Sequence, residues 1–121
     1  MTVQEHIEQA VAFERSARMA IDGGRRRDLL FRAGQAYEAA AAVFQAAGQQ
    51  DAADAPELLL RAALLAREAA SRYRAAGEPA IASQVAVIAD HLAARAAGLV
   101  ERRRQAELRA RQFDRAPNAP R

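Results

Sequence analysis

The sequence predicts an all-α fold with four long antiparallel helices and a basic helical extension at the C-terminus. Three observations favour it. Apolar residues recur at spacings of three and four along most of the chain, which is the period of one helix face. No segment alternates apolar and polar residues as a half-buried strand would. The periodic runs are joined by short polar, glycine or proline segments, so consecutive helices should lie antiparallel.

The length and composition indicate one small domain. We expect a single helical domain over residues 1–100, a basic helical extension over 101–115 and a disordered tail over 116–121, since the tail has two prolines and no periodicity. The chain contains no cysteine, which excludes disulfides, thiolate metal sites and cysteine nucleophiles. No run approaches the roughly 20 apolar residues of a membrane span, and the first residues lack a basic signal region. We therefore expect a cytoplasmic protein.

The first helix should begin at a capping box, with Thr2 as the N-cap and Glu5 three residues later. Its apolar stripe comprises Val3, Ile7, Ala10, Val11, Ala17 and Ile21. The glycine pair at 23–24 is expected to end the helix, because glycine readily adopts the positive φ of a helix stop.

The second helix is expected from about Arg27 to Ala47. Its stripe comprises Leu30, Ala33, Gly34, Tyr37, Ala40, Ala41, Phe44 and Ala47. Gly34 within this stripe costs about 1 kcal/mol relative to alanine, which indicates a close contact with another helix. Gly48 should cap the helix in the left-handed conformation.

The third helix should start with Asp54 as N-cap, Pro56 in the first turn and Glu57 completing a second capping box. Its stripe comprises Leu58, Leu59, Ala62, Leu65, Ala66, Ala69, Tyr73 and Ala76, and Gly77 should cap it. The ends of the second and third helices repeat the pattern Ala-x-x-x-aromatic-x-x-Ala-Gly, 29 residues apart. We expect the aromatic rings of Tyr37, Phe44 and Tyr73 to be largely buried between the second, third and fourth helices.

The fourth helix should begin near Pro79. Its stripe comprises Ile81, Val85, Ile88, Leu92, Ala96 and Leu99. The same spacing then meets Arg103 and resumes with Ala106, Ala110 and Phe113, where the helix should project from the core. Because an isolated helical extension is marginal in water, we expect Phe113 to anchor it on a partner or a second copy.

The segments around Leu30, Ala33, Gly34 and Tyr37, and the two alanine-aromatic-alanine sets, resemble tetratricopeptide repeats over roughly residues 27–97. The resemblance extends to the helical-hairpin adaptors of the soluble attachment protein type, which belong to the same group. The repeat distance of 29 residues differs from the family's unit of about 34. The resemblance implies a scaffold that binds proteins or peptides on a helical surface, without catalytic residues. Tetratricopeptide-like hairpins and a closed four-helix bundle both remain open.

No catalytic, metal or cofactor site is expected. Neither His6 nor His91 has a histidine or glutamate at the spacing of a helical metal pair. Carboxylates precede arginines by four residues, as in Glu14–Arg18 and Glu68–Arg72, which is typical of solvated helix faces. The sequence also lacks a phosphate-binding loop and a recognisable nucleophile motif.

One asymmetric feature could bind a partner. The candidate residues are Arg102, Arg103, Arg104, Arg109, Arg111 and Phe113. The net charge is +3, and part of the positive excess lies after residue 100. The segment could contact nucleic acid, another anionic surface or an acidic protein, or it could be only the solvated end of a long helix. We expect a non-enzymatic helical adaptor or scaffold that binds a protein partner or itself. The alternative is a binder of nucleic acid or another anionic surface through the arginine-rich helix.

Overall fold

A computed structural model of the chain describes residues 1–50 and 53–114. Helices account for 89% of these residues, and the described part contains no strand. The four helices are α1 (Val3–Met19), α2 (Gly23–Gly48), α3 (Ala55–Ala75) and α4 (Pro79–Asp114). The predicted all-α fold is confirmed. The predicted disordered tail, and the last residue of the predicted extension, lie outside the described residues.

The four helices form an open row. Extensive contacts join α1 to α2, α2 to α3 and α3 to α4. Within the described residues no comparable packing joins α1 to α4, as a closed four-helix bundle would require. None of the four described helices therefore lies on the outer side of α1 or of α4, and this leaves surface on α4 uncovered.

The start of α1 confirms the predicted capping box. The Glu5 amide donates to the Thr2 hydroxyl at 3.1 Å, and the Thr2 amide donates to the Glu5 carboxylate at 3.3 Å. These two bonds satisfy amide groups that the first turn of a helix leaves without partners.

The predicted end of α1 is wrong. The helix ends at Met19, and Asp22 is the N-cap of α2, where its carboxylate accepts a hydrogen bond from the Gly24 amide at 3.1 Å. The glycine pair 23–24 thus opens the next helix, without a positive φ. An aspartate cap supplies the acceptor that a helix start needs, and here it takes precedence over the tendency of glycine to stop helices. Ile21 consequently lies in the turn and is fully exposed.

Two glycines allow α2 and α3 to approach closely. A methyl group at Gly34 would lie 3.0 Å from the Tyr73 ring, so the predicted close contact is confirmed. Gly48, by contrast, does not cap α2 in the left-handed conformation as predicted, because it is helical. A methyl group there would lie 2.8 Å from the Leu59 side chain, so Gly48 is also a close-contact residue.

The predicted cap at the other glycine is confirmed. Gly77 has a φ of +81° and follows Ala76, the C-cap of α3. Its amide donates to the Arg74 carbonyl at 3.0 Å, and the Glu78 amide donates to the Tyr73 carbonyl at 2.9 Å. These two bonds form a Schellman motif, which satisfies the last carbonyls of α3 and turns the chain toward α4.

The second capping box, predicted at the start of α3, does not form. Asp54 is the N-cap, but its side chain makes no capping hydrogen bond. Its backbone, at φ −95° and ψ 9°, differs from the extended conformation in which an N-cap side chain reaches the next amides. Pro56 does lie in the first turn, as predicted.

The core consists mainly of alanine. Among the described residues, 16 of the 22 buried apolar side chains are alanines, and the larger ones are Leu29, Tyr37, Leu59, Tyr73, Val85 and Leu92. The predicted burial is confirmed for Tyr37 and Tyr73, but Phe44 is only partly buried. The Arg61 guanidinium lies 5.9 Å from the centroid of the Phe44 ring and covers part of it. Because alanine side chains are small, each of the six larger side chains contributes an unusually large share of the buried apolar surface.

Candidate functional site

The predicted binding residues all lie on the part of α4 that extends beyond the core. Every described residue from 101 to 114 is exposed, and 82% of Phe113 is accessible to solvent. The arginines do not form a single patch. Arg102 and Arg104 are two positions apart, which is about 200° around a helix, so they point to opposite sides. The same holds for Arg109 and Arg111.

One stripe of α4 runs from the core into this extension. Its members, alternately three and four residues apart, are Ala82, Val85, Ala89, Leu92, Ala96, Leu99, Arg103, Ala106, Ala110 and Phe113. We call this stripe the seam. Its first five residues are buried, Leu99 is partly buried, and the last four are exposed. Spacing of this kind is typical of the contact face of a coiled-coil helix. Beyond Leu99 the seam has no neighbouring helix within the described residues.

A seven-residue repeat in the same segment escaped the sequence analysis. Residues 102–108 read Arg-Arg-Arg-Gln-Ala-Glu-Leu, and residues 109–115 read Arg-Ala-Arg-Gln-Phe-Asp-Arg. The first, third and fourth positions are identical, the fifth is apolar and the sixth is acidic. A period of seven is the signal of a coiled-coil helix. The run of arginines concealed it, because it suggested only a cluster of charge.

The second candidate surface is a groove between α3 and α4. It has a volume of about 340 Å³ and is lined mainly by Pro56, Leu60, Ala93, Ala97 and Val100, with Glu57 and Glu101 also contributing. We call it the α3–α4 groove. Leu60 and Val100 are about half exposed, as is Leu64 one turn further along α3.

Sequence analysis missed the groove because Leu60 and Leu64 form a second apolar stripe on α3, beside the stripe that faces the core. The spacing of four between them was the available signal. Which stripe is covered depends on whether another helix packs beside it, and an open row leaves this one uncovered.

A polar cluster joins α1, α2 and α3. Arg72 forms ion pairs with Glu14 of α1 at 2.6 Å and with Glu68 at 2.8 Å, and its guanidinium lies 5.3 Å from the centroid of the Tyr37 ring. The expected pair Glu68–Arg72 is confirmed, but Glu14 pairs across helices and not with Arg18. A cleft of about 530 Å³ opens beside the cluster. Since both carboxylates of the cluster are paired with Arg72, we assign the cluster to structure.

A carboxylate lies beside each of two buried tyrosines. The Tyr73 hydroxyl donates a hydrogen bond to Glu38 at 2.6 Å, and the Tyr37 hydroxyl lies near the Glu14 carboxylate. Burial raises the pKa of both phenols, and the adjacent carboxylates raise it further, because a phenolate there would be poorly hydrated and repelled. The larger shift is that of Tyr73.

The raised pKa values predict that the protein loses stability in alkali. In the unfolded chain tyrosine ionises near pH 10, whereas the folded state keeps both phenols protonated above that pH. The unfolded state then binds fewer protons, so the free energy of unfolding is unaffected below about pH 10 and falls above it. We expect a fall of up to about 1.4 kcal/mol per pH unit for each tyrosine. Urea denaturation between pH 8 and pH 11.5 measures it.

Tyr73→Phe is the control for this alkaline effect. It should reduce the slope above pH 10 by at least about half, because only Tyr37, whose pKa is raised less, then contributes. A free energy of unfolding that stays constant up to pH 11.5 would contradict the raised pKa values.

A comparison of the chain with known protein families, curated proteins and solved structures finds no match. Within the described residues, no three histidine, aspartate or glutamate side chains lie close enough to hold a metal ion. None of the described helices combines the length and the apolarity that crossing a membrane requires.

Proposed function

We propose that the protein is a non-enzymatic helical adaptor or scaffold that binds another protein in the α3–α4 groove. The observation that carries this proposal is the exposure of Leu60 and Val100 around a concave floor of alanines, with the exposed Leu64 one turn further along α3. Covering apolar surface of this kind is favourable, and clustered exposed apolar side chains mark binding sites more often than scattered ones do. The resemblance to tetratricopeptide repeats implies the same class of function.

The groove also suggests the chemistry of its partner. Its floor and walls are alanine, leucine, proline and valine, so the partner should contribute apolar side chains from one face of a helix or strand. The charged residues that line it are Glu57 and Glu101, both acidic. Arginine or lysine flanking the apolar face of the partner would complement them.

Binding of nucleic acid or another anionic surface is the second candidate. Residues 101–121 contain seven arginines and three carboxylates, whereas residues 1–100 contain eleven arginines and twelve carboxylates. The positive excess therefore belongs to the C-terminal segment, which favours an anionic ligand. We rank this candidate second because the arginines lie on opposite sides of the helix with carboxylates between them, whereas a phosphate backbone would meet only one side.

Site-specific cross-linking tests the adaptor proposal. With a photoreactive amino acid at Ala97, on the floor of the groove, irradiation in the native host cell should trap one protein partner. Leu60→Glu should reduce the yield at least about tenfold, since a carboxylate would then have to be buried against the partner. Val87→Glu is the matched control, because Val87 is 53% exposed and Leu60 is 47% exposed, but Val87 does not line the groove. An adduct that forms equally well with Leu60→Glu would exclude the groove as the binding surface.

A further inference from the structure

Within the described residues, no helix packs against the exposed part of the seam. This part comprises Arg103, Ala106, Ala110 and Phe113, which continue the stripe that α3 covers earlier along α4. A helix that runs several turns beyond its core gains little stability from propensity alone, and most helical stability in proteins comes from packing an apolar face. A large, 82% exposed ring at the end of such a stripe indicates a face that packs against another helix.

The charges beside the seam identify the kind of helix that would cover it. On one side, Arg102 immediately precedes the seam residue Arg103, and Arg109 immediately precedes the seam residue Ala110. On the other side, Glu107 immediately follows the seam residue Ala106, and Asp114 immediately follows the seam residue Phe113. We call these two sets the basic flank and the acidic flank. In coiled coils these flanking positions form the interhelical ion pairs that set partner choice and orientation.

The two flanks are complementary in one orientation only. In a parallel pair of helices, the basic flank of one helix faces the acidic flank of the other, five residues further along. Arg102 would then face Glu107 of the second copy, and Arg109 would face Asp114 of the second copy. An antiparallel pair would instead bring arginine against arginine and carboxylate against carboxylate. Among the described residues, none of these four side chains forms an ion pair within its own chain.

We propose that the extension forms a parallel, two-stranded coiled coil with the extension of a second copy of the chain. Ala106 and Ala110 allow the two backbones to approach, and the two Phe113 rings close the far end. Two heptads span only about 21 Å, so the pairing should be weak and should depend on protein concentration.

Charge reversal on the full chain tests the pairing. Sedimentation velocity over a concentration series should show a monomer–dimer equilibrium for the parent protein. Glu107→Arg with Asp114→Arg, and separately Arg102→Glu with Arg109→Glu, should each raise the dissociation constant at least about tenfold, because like charges then face each other. Combining all four substitutions should restore dimerisation, because the flanks are again complementary.

The matched control is Arg104→Glu with Arg111→Glu, which changes the net charge as much as Arg102→Glu with Arg109→Glu does. These residues repeat at the same spacing of seven but lie away from the basic flank, so dimerisation should persist. A parent protein that stays monomeric at its highest accessible concentration would overturn the proposal. So would a fourfold variant that stays as monomeric as the twofold ones.

Cross-linking determines the orientation. The chain has no cysteine, so Ala110→Cys introduces a single thiol into the seam. In a parallel pair the two thiols meet and should form a disulfide on mild oxidation, whereas Gln112→Cys, two positions away on the outer side, should not. Equal disulfide formation at both positions would contradict parallel pairing.

Leu60→Glu separates this proposal from the adaptor function, because it alters the α3–α4 groove and not the seam. Self-association should be unchanged in this variant. If Leu60→Glu abolished the dimer, the second copy would occupy the groove and the coiled-coil proposal would fail. If it abolished only partner cross-linking, both proposals would hold.

Discussion

Replacing Tyr73 with alanine is expected to lower the free energy of unfolding by about 3–5 kcal/mol. The side chain is 2% exposed and fills the space between α2 and α3, where its ring contacts the backbone at Gly34. It also packs against Phe31, with the ring centroids 5.2 Å apart. A protein of this size typically has a total stability of 5–15 kcal/mol, so the variant should be close to unfolding.

The effect should be large because few nearby side chains can fill the cavity. The neighbours of the ring in the core are mainly alanines, such as Ala36, Ala69 and Ala70, whose short side chains cannot move into the vacated space. A core of leucine and isoleucine could relax further around the same truncation.

Tyr73→Phe is the control that keeps the ring and removes the hydroxyl. It should cost about 1 kcal/mol, because Glu38 is exposed and can exchange the lost hydrogen bond for water. Urea denaturation followed by circular dichroism measures both variants at pH 7, where the phenol is neutral. Finding Tyr73→Ala as stable as Tyr73→Phe would mean that the ring does not contribute to the core.

The sequence was informative where a feature depends on neighbouring residues. The helical period gave the fold class, the Thr2–Glu5 pair gave the start of α1, and Gly77 gave the end of α3. Each depends on groups within about one helical turn of one another. Gly34 was also interpretable, because a glycine inside an apolar stripe has few explanations other than close packing.

The errors arose where one residue type has more than one role. Glycine can stop a helix, start one after an N-cap or permit close packing. At positions 23–24 the preceding aspartate determined the role, and at Gly48 the proximity of Leu59 determined it. The aspartate is visible in the sequence, but the glycine pair was given more weight. The proximity of Leu59 to Gly48 depends on the tertiary structure and is not visible in the sequence.

The candidate surfaces show the same limit. The rule that pairs charges four residues apart placed Glu14 with Arg18, but the actual partner, Arg72, is 58 residues away. The extension and its anchor residue were predicted, yet the heptad repeat that orders its charges was overlooked. The α3–α4 groove could not be predicted, because two apolar stripes on α3 competed and only the open arrangement of helices leaves one uncovered.

Replacing Arg72 with methionine is expected to lower the free energy of unfolding by about 2–3 kcal/mol. Methionine keeps an apolar stem of similar length but removes the cation that bridges α1 and α3. The Glu14 carboxylate, 12% exposed, would then lose its cation at a site where water can replace it only in part. We set the expected loss below that of a fully buried pair because 25% of the Arg72 side chain is exposed.

Arg67→Met is the matched control, since Arg67 also forms an interhelical ion pair from α3. Its partner, Asp90 of α4, lies 3.5 Å away, and both side chains are largely exposed. Removing this pair should change stability by no more than about 0.5 kcal/mol, because water and salt screen it. Urea denaturation of both variants gives the comparison directly.

A double substitution identifies the origin of the loss. Glu14→Gln removes the negative charge but keeps the shape of the side chain, so Glu14→Gln with Arg72→Met should be more stable than Arg72→Met alone. That recovery would show that the unpaired carboxylate, and not the lost packing of the arginine stem, dominates the effect. Equal losses of unfolding free energy for Arg72→Met and Arg67→Met would mean that the Glu14–Arg72 ion pair contributes no more than an exposed pair does. Apolar contacts with α2 alone would then hold α1 in place.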